Sequence, residues 1–191
     1  GAPAFCWNVI GESGSGKSIT AKSILGLLPD YPDHTLTGEI IFNGQSLTNL
    51  STSALQQIRG KDISMIFQDP LSSLNPRLTI GKQITEVLFQ HKRVSKSEAK
   101  SMTIDILEKV GIKHATQQFD AYPHELSGGM RQRVMIAMAL ILKPQILIAD
   151  EPTTALDKQN SLKVMDLIEA HAETLIVATH DLTLLSRFET I

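Results

Sequence analysis

The sequence predicts an α/β fold: a largely parallel sheet with helices between its strands and one helical insertion. Two observations carry this reading. Short apolar runs of strand length alternate with longer segments of helical periodicity, an order that implies crossover connections and parallel strands. One apolar run enters a glycine-rich turn that opens a helix, and another ends in two adjacent carboxylates. Strand ends of this kind are where an α/β sheet gathers a ligand.

The elements follow in order along the chain. Phe5 to Ile10 is apolar but for Asn8 and reads as a buried strand. Phe5 and Trp7 within it are expected to pack in the core. Lys17 to Leu28 carries Ile19, Ile24, Leu27 and Leu28 at helical spacing, and the prolines from Pro29 onward stop it. Gly38 to Gly44 reads as a short strand bounded by glycines, and Ile63 to Phe67 as another, closed by Asp69 and Pro70. The character then changes. Leu78 to Leu88 and Lys96 to Val110 are amphipathic helices, the second capped by Ser95 or Ser97. Arg131 to Leu142 is a further helix with Met135, Ala139 and Leu142 on its inner stripe. Ile146 to Ala149 is a strand, Leu162 to Ala170 a helix, and Thr174 to Ala178 a last strand before His180.

Composition narrows the function classes. A chain of 191 residues suits one domain with a sizeable core, and 42% hydrophobic with 20% charged residues is ordinary for a globular protein. A net charge of −2 gives no reason to expect nucleic acid as a partner. The single cysteine, Cys6, excludes an internal disulfide and reads as a small buried hydrophobe. No apolar run approaches the ~18 residues of a membrane span, and no signal-peptide pattern is visible. Association with a membrane is therefore expected to come through a partner.

Three motifs carry chemistry. Gly11-Glu12-Ser13-Gly14-Ser15-Gly16-Lys17-Ser18 matches the phosphate-binding loop G-x-x-x-x-G-K-[ST]. Its glycines let backbone N–H groups wrap phosphate oxygens, and the helix beginning near Lys17 adds its positive end. Lys17 is expected to reach the β- and γ-phosphates of ATP, and Ser18 to ligate Mg²⁺. The strand ending in Asp150 and Glu151 would place Asp150 at the Mg²⁺ site and Glu151 beside an attacking water. The third motif is Leu126-Ser127-Gly128-Gly129-Met130-Arg131-Gln132-Arg133.

That third motif resembles the signature of the ABC transporter ATPases. Other landmarks of that family fall in the same order: Gln68 at the Q-loop, Ala155-Leu156-Asp157 at the D-loop and His180 at the switch histidine. The stretches Met65 to Pro76, Tyr122 to Arg133 and Ile148 to Asp157 are similar to the ATPases of the oligopeptide, dipeptide and nickel importer group, in particular the D-type member. The resemblance runs from about Ile10 to Leu184. It implies a P-loop nucleoside triphosphatase of RecA type with a mostly parallel sheet, residues 1–75 and 130–191. Residues 76–129 would be an inserted α-helical subdomain bearing the signature.

The resemblance further implies the roles. Glu151 would be the general base, with Lys17, Gln68 and His180 completing the catalytic set. Gln68 would join Ser18 and Asp150 around Mg²⁺. Ser127, Gly128, Gly129 and Asp157 would contact ATP held by a second such subunit, identical or paralogous, in a head-to-tail dimer. The helical segment would dock on transmembrane permease subunits at the cytoplasmic face of the membrane, served by an extracellular or periplasmic solute-binding protein. The chain starts close to the phosphate loop and stops soon after His180, so an adenine-stacking aromatic and outer strands of the family pattern are expected to be missing. The competing readings are a non-transport ABC ATPase and a truncated ATP-binding module inactive alone.

Overall fold

The structure, a computed structural model, describes residues 5–11, 14–28, 37–154 and 156–180. In chain order its elements are β1 (Phe5–Ile10), α1 (Lys17–Ile24), β2 (Ile41–Phe42), β3 (Gln45–Ser46), α2 (Thr52–Ile58), β4 (Ile63–Ile66), α3 (Pro70–Ser73), α4 (Ile80–His91), α5 (Lys96–Lys109), α6 (Ala115–Gln118), α7 (Gly128–Leu140), β5 (Ile146–Asp150), α8 (Lys158–His171) and β6 (Thr174–Thr179). A 3-10 turn at Pro123–Glu125 leads into α7.

The apolar runs make one four-stranded sheet in the order β1-β6-β5-β4, with every pairing parallel. Its two middle strands end in the carboxylates and the histidine, and β1 beside them runs into the glycine-rich loop. Asp150, last in β5, pairs with Ala178 of β6. The ladder reaches one residue further, where Glu151 N–H donates to the Ala178 carbonyl at 2.8 Å. Burial explains the composition of β4 and β5: all of Ile63–Ile66 and all but the first residue of Ile146–Asp150 are buried. Strands covered on both faces need continuous rather than alternating apolar residues.

Side-chain caps set most helix starts. Ser51, Thr79, Ser95, Ser127 and Asp157 each accept an N–H from the first turn of α2, α4, α5, α7 and α8. Of the two candidate caps for α5, Ser95 is the one used. Helices α4, α5 and α6 gather beside α7, and their buried faces (Ile84, Leu88, Leu107) join one cluster with Ile136 and Leu147. Among the described residues no helix is long and apolar enough to cross a membrane.

Four expectations change. The helix from Lys17 ends at Ile24, because Gly26 at φ +60° breaks it before the prolines are reached. Pro29 itself lies outside the described residues. The segment Gly38 to Gly44 is the first half of a small antiparallel hairpin, β2–β3, turned by Asn43 and Gly44 at φ +48° and +77°. Two positive φ values in a two-residue loop make the tight turn that Asn-Gly favours. The inner stripe of Arg131 to Leu142 is too narrow a description: α7 buries residues nearly all round, Gln132 included. Finally, Trp7 is 64% exposed and Ile10 56% exposed, so Trp7 is not a core residue. Side chains alternate between the two faces of a strand, and Trp7 points away from the face on which Cys6 packs against the core. The side chain of Phe5 lies outside the described residues. Helices α2, α3 and α6 were not anticipated. Each is seven residues or fewer, too short to show a helical period.

Candidate functional site

A cleft of about 450 Å³ opens where β1, β5 and β6 end, lined by Gly14, Gly16, Lys17, Ser18, Ile19, Gln68, Asp150, Glu151 and His180. Residues from four separate stretches of sequence thus meet at the carboxyl edge of the sheet, where the topology favours a ligand.

The loop after β1 builds one wall. Gly14 and Gly16 take φ of +86° and +93°, a backbone that side chains resist, and nothing would lie within 4 Å of a Cβ at either. The loop is therefore open on the side that faces the cleft. Gly16 heads α1 without a side-chain cap, so the helix presents its first N–H groups to the cleft. The Lys17 ammonium donates to the Gly11 carbonyl at 2.5 Å and sits across the loop it closes. Gly11 and Ser15 lie against each other behind this wall, so close that a Cβ on Gly11 would fall 2.4 Å from the Ser15 hydroxyl. Glu12 and Ser13 lie outside the described residues.

The carboxylates form the floor. Asp150 is 2% exposed, and its Oδ1 has no hydrogen-bond partner. A buried carboxylate oxygen without a donor is costly unless a cation meets it. Glu151 is also buried and has φ +49°, an uncommon backbone for a side chain this long. Its carboxylate is held from β6. Thr179 Oγ1 donates to Oε2 at 3.2 Å; His180 N–H donates to Oε1 at 3.1 Å and His180 Nδ1 reaches the same oxygen at 2.6 Å. A carboxylate only accepts, so the Nδ1 of this pair carries the proton. Gln68 closes the far side, just before α3. There Asp69 accepts the Leu71 N–H at 2.8 Å, and this bond holds its carboxyl below the usual range.

The remaining predicted residues stand apart. Ser127 caps α7 and accepts the Met130 N–H at 3.3 Å; Gly128 beside it has no neighbour within 4 Å of a Cβ. Asp157 caps α8 and accepts both the backbone and side-chain N–H of Asn160. Those bonds lower its carboxyl, the backbone one most. Neither they nor Gly129 line the cleft. Ala155 lies outside the described residues.

Sequence reasoning missed three supporting side chains. Thr179 grips Glu151, and the only available signal was its place one residue before His180. Gln83, 5% exposed, binds Asn75 and Leu78 through three hydrogen bonds and so anchors the far end of the segment that follows Gln68. Gln132, fully buried, donates to the Pro152 carbonyl at 2.8 Å. Its signal in the sequence was faint, because Gln132 lies between Arg131 and Arg133 at the polar start of a helix that turns apolar only after them.

Comparison with protein-family models matches residues 3–154 to the ABC transporter model. The chain belongs to the ABC transporter family. Among relatives, the oligopeptide transport ATP-binding protein OppD of Bacillus subtilis is 50% identical over 178 residues, covering 91% of this chain and 50% of that protein. The dipeptide transport ATP-binding protein DppD of the same organism is 49% identical, with coverage of 91% and 53%. This ABC chain therefore spans about half the length of the curated relatives it matches. Among solved structures, a dimeric ATP-binding cassette in a post-hydrolysis state with ADP and Pi superposes with a TM-score of 0.82 at 32% identity, covering 94% of this chain and 76% of that one. The α/β fold expected from the motifs is the fold of these cassettes.

Proposed function

We propose that this chain binds ATP with Mg²⁺ and hydrolyses it as the motor of a peptide importer. The observation that carries the reading is the buried Glu151 carboxylate, fixed by Thr179 and His180 at the floor of the cleft that Lys17 enters.

The chemistry follows from the geometry. Phosphoryl transfer to water needs charge neutralisation and an aligned nucleophile. Backbone N–H groups of the loop and the Lys17 ammonium bind and neutralise the phosphates. A carboxylate has about four acceptor positions. Thr179 and His180 occupy three on Glu151, leaving one for a water. That water attacks the γ-phosphorus, the bond to the β-phosphate oxygen breaks, ADP leaves, and Glu151 takes the proton of the water. His180, whose side chain is 67% exposed, keeps the carboxylate turned toward the phosphate and offers its other edge to it.

The residues present fit a hard cation. Asp150 Oδ1 is buried and unpartnered, and Ser18 and Gln68 bring further oxygens to the same cleft. Mg²⁺ held by Ser18, Gln68 and Asp150 would supply positive charge for the phosphate oxygens.

The separation of Ser127, Gly128, Gly129 and Asp157 from the cleft supports a trans role. They are displayed at the heads of α7 and α8, free to cover ATP on a second ABC subunit. The dimeric cassettes that resemble this chain favour the same arrangement. The segment 76–129 is the surface for a membrane permease. A 210 Å³ apolar groove bordered by Met65, Phe67, Val87 and Met138 lies beside it, directly before Gln68. Such a groove suits a partner segment that must sense Gln68. Peptide cargo is favoured by the names of the relatives, oligopeptide and dipeptide transport proteins. A solute-binding protein would deliver it at the outer face. The test is steady-state ATP hydrolysis across protein concentration, beside Glu151→Gln. A rate per molecule that rises with concentration and vanishes in the variant supports the reading. Hydrolysis that survives in the variant removes Glu151 as the base.

A further inference from the structure

The backbone just after Glu151 is tied to the helix that begins at Ser127. Gln132 is 0% exposed, and its Nε2 donates to the Pro152 carbonyl at 2.8 Å. Its Oε1 is buried and has no partner. A core position that keeps an amide with an unsatisfied oxygen is worse for packing than a hydrocarbon of the same length. The bond to Pro152 is what the residue offers in return.

That bond sits at a strained place. Glu151 at φ +49° persists because its surroundings hold it. The Ala178 carbonyl holds its N–H, the Thr154 hydroxyl its carbonyl at 3.1 Å, and Thr179 and His180 its carboxylate. Gln132 holds the next carbonyl, that of Pro152. It stands five residues, or about 7.5 Å, along α7 from Ser127. The intervening turn is stiffened by Arg131, whose Nη1 donates to the Leu126 carbonyl at 2.8 Å and the Pro123 carbonyl at 3.4 Å.

We infer that Gln132 is a positioning residue for Glu151: through its bond to Pro152 it makes the pose of the catalytic carboxylate depend on the seating of the Ser127 end of α7. The inference rests on the reading of Glu151 as base and of the α7 head as the cover of a partner's ATP. Under it, ATP captured by Ser127 in trans registers at the chain's own hydrolytic site. The two sites of a dimer are thereby coupled through one buried side-chain hydrogen bond in each subunit.

The experiment uses the complete polypeptide. Gln132→Met keeps the length and removes the donor. It is expected to lower kcat by about tenfold or more while KM stays within about twofold, the split of an interaction that acts on the transition state. Gln132→Glu places a carboxyl in the same site, where burial favours the protonated, donating form as pH falls. Its rate relative to Gln132→Met should rise from about pH 8 to about pH 6. The Glu151→Gln variant, with and without Gln132→Met, is sized with ATP. Both are expected to form the same ATP-dependent dimer. A kcat for Gln132→Met within about twofold of the parent overturns the inference. So does a flat pH ratio, or loss of the ATP dimer when Gln132→Met is added. If Glu151→Gln alone fails to dimerise with ATP, or still hydrolyses it, the failure belongs to the functional reading and not to Gln132.

Discussion

His180 Nδ1 lies 2.6 Å from Glu151 Oε1, and the His180 N–H reaches the same oxygen at 3.1 Å. One residue therefore grips one carboxylate oxygen twice, by ring and by backbone. The two grips differ in what a substitution removes. His180→Ala deletes the ring contact and keeps the backbone one, so Glu151 should stay near its place but lose its fixed orientation. The expected result is a kcat about 10² to 10⁴ lower with ATP affinity little changed. Single-turnover hydrolysis beside equilibrium nucleotide binding checks it, and equal losses in both would mean that His180 serves binding instead.

Thr179 holds the other oxygen, Oε2, at 3.2 Å. Thr179→Val keeps the shape of a 1% exposed side chain and removes the hydroxyl. A hydrogen bond to a charged group is worth about 1.5–3 kcal/mol. The turnover rate should fall by roughly 10- to 100-fold, less than for Glu151→Gln. A rate at the parent level would show that Oε1 alone sets the pose.

Asp150 gives a separable prediction. Its Oδ1 is buried without a partner, whereas both oxygens of Glu151 next to it are held by Thr179 and His180. Asp150→Asn should raise the Mg²⁺ concentration for half-maximal hydrolysis on the order of tenfold or more, because a hard cation loses a charged oxygen. A Mg²⁺ titration at fixed ATP reads this directly. An unchanged midpoint would move the cation away from Asp150.

Much of this site was legible because its residues lie at fixed steps from strand ends. Lys17 and Ser18 follow one apolar run, Asp150 and Glu151 close another, and His180 follows a third. A parallel sheet brings such ends together whatever the loops do. The supporting shell was not legible. Gln132 and Gln83 act on residues 20 and 8 positions away, across contacts that no local pattern encodes. Trp7 misled for the opposite reason. Its apolar neighbours predict a buried strand, but burial of a strand side chain depends on what covers its face of the sheet, and Trp7 points away from the face on which Cys6 packs against the core. The hairpin β2–β3 was half visible: the Asn43-Gly44 turn was in plain view, and two-residue strands are too short to alternate.

The core itself can be tested at Ile148. It is 0% exposed and stands mid-sheet, paired with Met65 of β4 and Ile176 of β6. Ile148→Ala leaves a cavity that two hydrogen-bonded neighbours keep from closing. Urea unfolding of the complete polypeptide should show a loss of about 2–5 kcal/mol. A loss well below that would mean the sheet relaxes around the site.

Cys6 supplies a prediction in pH. Burial pushes its thiol from 9.0 up to about 11, helped by the nearby Glu169 carboxylate. The thiolate is the reactive form. A two-unit rise leaves roughly 100-fold less thiolate at neutral pH than in an unperturbed cysteine. Alkylation of the folded protein should therefore be slow near pH 8, climb steadily with pH past 9, and jump on unfolding in urea. The same shift acts on stability. Because the folded thiol stays protonated where the unfolded one ionises, the contribution is complete below pH 9.0 and declines as pH rises toward about 11. Cys6→Ser removes that alkaline decline. A folded protein that alkylates at the rate of a free thiol near pH 8 would show that β1 opens to solvent at Cys6, and the alkaline loss of stability would then have to come from another group.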